Sequence, residues 1–356
     1  MLMKTSLRSI CFSLGLVLFT PTLYANPIVK KDAVMVEPLF SKTKPQCAGI
    51  YVVDVPESFN NGTHKATYDD FDIESQFIYP PAFKQRIALR EEALRNQKTS
   101  QKNAPALKEV IQLPDNQGVI FDKNKSGSQD SYRTLEAHVY LNHIAFIITI
   151  NIRDLSAARY ADERKSYLEA GFTEMELNDK PTKLAAMRSL ISRLSGRLDH
   201  DIPTDKGWCI PNGFIADDGG QHKIVTGFSY KTVDFQFDVN TYNTFTANGD
   251  SLFKRSAAMN DEIKNFHLKI LKKEALEVNG IPTEALFFKG IQEYDKKSLQ
   301  VYDFFLIGNE KIASKTKPIV KLEIDSQYLQ TRYSEAQMVE IWDRIVDSLR
   351  YKPNSF

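Results

Sequence analysis

Alternation of apolar and polar residues predicts β-strands along much of the chain. The clearest case is 135–152, where every second side chain is apolar except at a turn formed by Asn142 and His143. This pattern predicts a hairpin with one buried face, and Glu136 and His138 would lie on the other face. Shorter patterns of the same kind predict strands at 47–56, 71–79, 118–122, 214–215, 225–230, 233–239, 284–288, 299–307 and 318–325.

Helical periodicity fills most of the intervals between these strands. Predicted helices follow Pro80 and Pro81, cover 156–170, and cover a stretch with Pro181 in its first turn and an apolar stripe ending at Leu198. Another is predicted at 251–272. The last begins at Ser334, where Gln337 completes a capping box.

The order of these elements is similar in the two halves of the chain. A polar joint, DHDIPTD at Asp199–Asp205, separates two stretches that each begin with a cysteine-containing strand: CAGIYVVDVP from Cys47 and KGWCIPNGFIA from Lys206. We therefore predict an α+β protein with two similar modules, residues 47–205 and 206–356. Each module would be a mainly antiparallel sheet with helices packed on one face.

The first 25 residues resemble a secretory leader. Lys4 and Arg8 precede a short apolar run, and Ala25 provides the small residue that a signal peptidase requires. A membrane anchor is disfavoured because the run is much shorter than the ~20 residues that span a bilayer. We predict a signal peptide at 1–25, a flexible arm at 26–46 and a soluble, secreted mature chain.

Removal of the leader leaves 356 − 25 = 331 residues with 44 Lys and Arg against 45 Asp and Glu, a formal charge of −1. Nucleic-acid binding normally requires a basic field, so this charge disfavours it. Only Cys47 and Cys209 remain as cysteines. In an oxidising compartment they are expected to form a disulfide; the alternative is two buried free thiols.

Motifs that carry chemistry are not evident. Gly227-Phe228-Ser229-Tyr230 lacks the second glycine of a nucleophile elbow, and the two cysteines are too far apart for a zinc site. Acidic groups at 69–72 and 217–218 do not match a calcium loop and are interpreted as turn residues. Trp208 and Trp342 are interpreted as core anchors. We expect no catalytic residue, cofactor or metal, and no partner-contacting residue is assigned.

Two stretches, C-x-G-I-Y-V-V-D-V-P from Cys47 and G-W-C-I-P-N-G-F-I from Gly207, are similar to segments of one protein family. The resemblance to this family extends over nearly the whole mature chain. Both stretches resemble the two-domain periplasmic immunity proteins that accompany the fourth class of type VI secretion phospholipase effectors. The resemblance implies that the protein lies in the periplasm, binds a lipase effector and blocks its serine-centred active site, with no catalysis of its own. Two other classes stay open: a periplasmic module that binds lipid or a small molecule, and a hydrolase with an unrecognised nucleophile.

Overall fold

The computed structural model describes residues 36–100, 103–258 and 268–355. The predicted leader, the first part of the arm and the middle of the helix predicted at 251–272 lie outside these ranges. The first strand begins at Thr43, so the predicted arm overlaps it at 43–46.

The described elements of the N-terminal half are β1 (Thr43–Ala48), β2 (Tyr51–Pro56), β3 (Asn60–Tyr68), β4 (Phe71–Phe77), α1 (Pro80–Asn96), β5 (Leu107–Gln112), β6 (Gly118–Asn124), β7 (Tyr132–Leu141), β8 (Ile144–Arg153), α2 (Ala161–Glu169), α3 (Glu174–Leu177), α4 (Lys180–Arg193) and β9 (Leu194–Gly196). Those of the C-terminal half are β10 (Gly207–Ile210), β11 (Gly213–Ala216), β12 (Ile224–Lys231), β13 (Gln236–Tyr242), α5 (Leu252–Ala258), β14 (Lys269–Val278), β15 (Ile281–Tyr294), β16 (Lys297–Gly308), β17 (Ile319–Asp325), α6 (Glu335–Asp347) and β18 (Arg350–Tyr351).

Twelve of the described strands form one sheet that crosses both halves. Its order is β14-β15-β16-β17-β13-β12-β3-β4-β8-β7-β6-β5, and the two halves meet where β12 pairs antiparallel with β3. Outward from this junction, the N-terminal half runs β3, β4, β8, β7, β6, β5 and the C-terminal half runs β12, β13, β17, β16, β15, β14. In both halves a hairpin is followed by the last long strand, and then by the three strands that precede it in the chain, in reverse order. The prediction of two similar, antiparallel α+β modules is therefore confirmed.

The last strand of each module pairs with the opening hairpin of the other module. β9, which closes the N-terminal half, pairs with β11, and β18, which closes the C-terminal half, pairs with β2. These pairs complete two small sheets, β10-β11-β9 and β1-β2-β18. Neither opening hairpin is complete within its own module, so the modules depend on each other for their backbone hydrogen bonds.

Helices cover the long sheet on both faces, whereas the sequence predicted them on only one face of each module. On one face, Met187 and Leu190 of α4 and Ile341 and Trp342 of α6 belong to a single hydrophobic core that includes strands of both halves. On the opposite face, α1 contributes to a second cluster with Phe121 of β6. Helix α5 lies in a third cluster, which includes strands β15 and β17.

The opposite face of the 135–152 hairpin is buried, contrary to the one-sided prediction. Glu136 is 6% exposed and His138 is 3% exposed. Helix α1 lies over them, and Arg90 donates two hydrogen bonds of 2.7 Å to the Glu136 carboxylate. His138 Nε2 is 2.9 Å from Glu136 Oε1, so both side chains belong to this buried polar group.

Two predicted helices extend too far. Residues 269–272 form the start of β14, because that segment pairs with β15 along its length. The helix whose apolar stripe was predicted to reach Leu198 is α4, and it ends at Arg193. Leu194 belongs to β9, where it pairs with Ile215.

Candidate functional site

The two halves are joined covalently next to their paired openings. Cys47 and Cys209 form a disulfide with a Cα–Cα distance of 5.8 Å, as predicted, and both side chains are fully buried. Gly49 and Cys209 exchange two backbone hydrogen bonds of 2.9 Å beside it. Gly49 has φ +61°, and a Cβ there would lie 3.0 Å from the Trp208 ring. The position therefore requires glycine, both for its backbone conformation and for space.

A buried arginine strengthens the same junction. The Arg197 guanidinium donates to five backbone carbonyls, which belong to both halves and the joint between them: Cys47, Leu198, Asp201, Ile210 and Gly213. Burial lowers the pKa of Arg197. Lys352 takes the corresponding place after β18, where its Nζ donates to the Asp205 carbonyl at 2.6 Å. Neither cation could be recognised from the sequence, since a lone charged residue gives no local signal that it is buried.

A cleft of about 500 Å³ opens at the end of the sheet where β3 and β12 meet. Tyr68, Arg193, Trp208 and His222 line it, together with the 217–220 turn. The Trp208 ring is 5% exposed and its Nε1 donates to Thr226 Oγ1 at 2.9 Å, so its interpretation as a core anchor is confirmed. Trp342 is likewise buried in the core, at 1% exposure.

Several polar side chains of the cleft pair with one another. His222 lies between two carboxylates, with Nδ1 2.8 Å from Asp69 Oδ2 and Nε2 3.0 Å from Asp218 Oδ1. Arg193 donates to the Tyr68 hydroxyl at 2.8 Å. Burial raises the pKa of Tyr68 to about 12. The Gly220 N–H lowers the pKa of Asp218. Both ring nitrogens of His222 are thus occupied by carboxylates, and neither faces a position where a substrate hydroxyl could bind.

The two acidic turns that the sequence analysis treated separately therefore meet in space. Asp69 and Asp218 share His222 because β3 and β12 are neighbours, a long-range pairing that spacing alone does not indicate. The described residues hold no group of three or more His, Cys, Asp and Glu side chains arranged to bind a metal ion.

An acidic ladder crosses three strands of the C-terminal half. Asp303 faces Asp325, and Glu323 faces Asp238, in directly opposed pairs. Like charges in such pairs repel each other. Burial, followed by the charges of Glu323 and Asp325, raises the pKa of Asp303 to about 7. Charging Asp303 therefore costs stability.

Replacing Asp303 by asparagine is expected to stabilise the protein by about 2 kcal/mol at pH 8. The folded-state pKa lies above the value of 3.8 for an unperturbed aspartate, so the wild type loses stability as the pH rises from about 4 to about 7. The variant should lack that loss. Urea unfolding at a series of pH values measures it, with the exposed Asp72→Asn as the control. Equal pH dependence in wild type and Asp303→Asn would contradict the assignment.

The hairpin of β15 and β16 extends beyond its neighbours. Pairing with β14 stops at Lys289 and pairing with β17 begins at Asp303, so no other described strand pairs with 290–302. Ile291, Tyr294 and the adjacent Tyr328 are 60%, 50% and 58% exposed. The Tyr294 and Tyr328 rings lie 5.3 Å apart in a T-shaped contact.

A second exposed aromatic pair lies in the N-terminal half. Phe77 and Tyr79 are in T-shaped contact at 5.6 Å. This pair does not protrude, because Phe77 is paired with Ile144 of β8 and Tyr79 leads directly into α1. No helix of the described residues is both long enough and apolar enough to cross a membrane.

Two family models match the chain and together cover most of it. The model of the Tle cognate immunity protein 4 N-terminal domain matches residues 44–197, and that of the corresponding C-terminal domain matches residues 201–354. The matches meet just before the module boundary predicted at Asp205. No curated protein matches the chain in sequence.

Solved structures of TplEi and of the Tle4-Tli4 complex have the same fold as this chain. The apo structure of the immunity protein TplEi of the T6SS from Pseudomonas aeruginosa has a TM-score of 0.65 at 18% identity, covering 87% of this chain and 97% of its own. The Tle4-Tli4 complex has a chain with a TM-score of 0.65 at 19% identity, covering 87% of this chain and 98% of its own. The structure of TplEi complexed with an "L" peptide has a TM-score of 0.62 at 18% identity, covering 88% of this chain and 99% of its own.

Proposed function

This chain belongs to the Tle cognate immunity protein 4 family, and from that membership we propose that it binds and inhibits a phospholipase effector of a type VI secretion system. The observation that carries the proposal is the extent of the family match, which covers both modules from residue 44 to residue 354. A likeness limited to one module would support only a shared fold.

The mechanism we propose is occlusion of the lipase active site, which contains a serine nucleophile. The chain needs no catalytic group for this, and the cleft agrees, because its histidine is held between two carboxylates. Occlusion favours a rigid surface, since little conformational entropy is then lost on binding. The shared sheet and the disulfide at its junction provide such a surface. We place the interaction in the periplasm, reached through the leader at 1–25.

The test is inhibition of the purified lipase by the purified mature chain. The producing organism's lipase effector hydrolyses phospholipid vesicles while the chain is titrated in, and hydrolysis should stop near an equimolar ratio. An unrelated lipase on the same vesicles should stay active, which excludes coating of the lipid surface by the chain.

Three outcomes would contradict this proposal. Full lipase activity at a large excess of the chain would remove the inhibitor role. Hydrolysis by the chain alone would indicate an enzyme. A lipid that copurifies with the chain, in place of a lipase, would favour the binding module considered from the sequence.

A further inference from the structure

His64 of β3 lies at the pairing that joins the two halves of the long sheet. It faces Phe228 of β12 directly, and the strand register shifts just beyond it, between Phe228 and Tyr230. Between ring centroids, the imidazole is 5.2 Å from Phe228 and 6.0 Å from Tyr230. Both of these rings are buried in the core that the two modules share. A histidine of the N-terminal module therefore packs against aromatic rings of the C-terminal module.

The two ring nitrogens of His64 are buried without a hydrogen bond. Neither Nδ1 nor Nε2 has a partner in hydrogen-bond geometry among the residues that the structure describes. The buried His138 differs, because its Nε2 lies 2.9 Å from the Glu136 carboxylate. A protonated His64 would place two N–H donors and a full charge in a position without an acceptor. Such an unpaired buried charge strongly disfavours the conformation that buries it.

The charged groups that face the ring act in opposite directions. Burial has the largest effect and lowers the pKa of His64 below its usual value of 6.5. Lys44 of β1 lowers the pKa further, whereas Asp199 of the joint and the Thr63 backbone raise it. The net effect is a lower pKa, so the folded state favours the neutral ring.

The other polar groups around the ring already have partners. The Asp199 carboxylate accepts the Asn212 N–H at 2.6 Å, and its charge also acts on the buried Arg197. The Tyr230 hydroxyl donates to Gln46 Oε1. Burial raises the pKa of Tyr230 well above its usual value, so the phenol stays neutral. An imidazolium could gain a partner here only if one of these contacts were given up.

We propose that His64 is an acid-sensitive contact of the module junction: its neutral ring packs the two halves together, and its protonation weakens the pairing of β3 with β12. The unfolded chain accepts the proton more readily than the folded chain. The stability that His64 provides is therefore complete above the usual pKa of 6.5 and is lost as the pH falls through the lower folded-state pKa. This property of the junction is independent of the proposed function.

The first test follows the wild-type chain by NMR as the pH is lowered from about 8 to about 5. The His64 ring signal should titrate at a lower pH in the folded chain than in the chain unfolded by urea. Amides of the β3–β12 pairing should exchange with solvent about 10-fold faster at the acidic end, after correction for the intrinsic rate. Amides of the β7–β8 pairing, which lies within one module, are the control and should change much less.

The second test is urea unfolding of His64→Gln, whose side chain is of similar size and cannot be charged. Its midpoint should shift upward relative to that of the wild type as the pH falls from about 7 to about 5. Comparison at equal pH removes the contribution of Asp303, which is present in both proteins. The matched control is His200→Gln in the joint, where half of the side chain is exposed, and its midpoint should follow that of the wild type.

Three results would overturn the proposal. One is a His64 ring that titrates at the same pH in the folded and the unfolded chain. Another is an equal acceleration of amide exchange in all strands, which would place the effect of acid outside the junction. The third is the same pH dependence in His64→Gln and the wild type. The first two are measured on the wild-type chain, so they do not depend on how well a variant folds.

Discussion

Replacing Cys47 and Cys209 together by alanine is expected to lower the free energy of unfolding by about 4 kcal/mol. The bridge joins positions 162 residues apart, so it restricts the unfolded chain over the whole N-terminal module. The chain-entropy relation gives roughly 5 kcal/mol for a loop of this size, and native bridges usually contribute somewhat less. Alanine is preferred to serine because both sites lie in an apolar cluster with Val52 and Phe214, where a hydroxyl group would lack a partner.

Urea unfolding of the oxidised wild type and the double variant measures this effect. Wild type in excess reductant is the control, and its midpoint should fall to that of the variant. The bridge links both modules, so the loss should appear as a shift of one cooperative transition. A midpoint that does not respond to reductant or to the substitutions would contradict the prediction.

Arg197→Met is expected to destabilise the protein by about 4 kcal/mol. Methionine has a similar length but no donor, so five carbonyls, three of them in buried contacts, would lose the group that satisfies them. Because those carbonyls belong to both modules and the joint, the loss weakens the junction as a whole. Arg197→Lys keeps the charge but has at most three donors, so an intermediate loss is expected.

The control for Arg197 is Arg95→Met on α1. Arg95 makes an exposed ion pair with Glu91, and such pairs contribute at most about 0.5 kcal/mol. In urea unfolding, Arg197→Met should have the lowest free energy of unfolding of the three variants and Arg197→Lys an intermediate value. Arg95→Met should have a value close to that of the wild type. A loss under about 1 kcal/mol for Arg197→Met would show that water can replace the guanidinium.

Local patterns in the sequence were sufficient for several elements. The turn at Asn142 and His143 was found because alternation reverses there, and the structure places both at positive φ. The final helix was found from Ser334 and Gln337, which form the predicted capping box. In each case the signal lies within a few residues and agrees with the tertiary fold.

Errors arose where a distant partner decides the structure. Strand β14, KILKKEALEV, is rich in helix-forming residues and becomes a strand only because β15 pairs with it. Glu136 looks like a surface residue until α1 brings Arg90 to it. The candidate site depends on the same kind of information, since Tyr294 and Tyr328 meet from separate segments.

The cysteines are an intermediate case. Their pairing followed from the predicted compartment and from their number, without any knowledge of the fold. Their place at the junction of two repeated modules required the structure, which shows β1 and β10 as corresponding strands. The exchange of terminal strands β9 and β18 was likewise beyond local patterns, because each pairs with the opposite module.

The most direct test of the proposed function is hydrolysis of phospholipid vesicles by the lipase effector, with the wild-type chain titrated in. The wild-type chain is expected to stop hydrolysis near an equimolar ratio and to leave an unrelated lipase on the same vesicles active. Continued hydrolysis in the presence of excess wild-type chain would contradict the account.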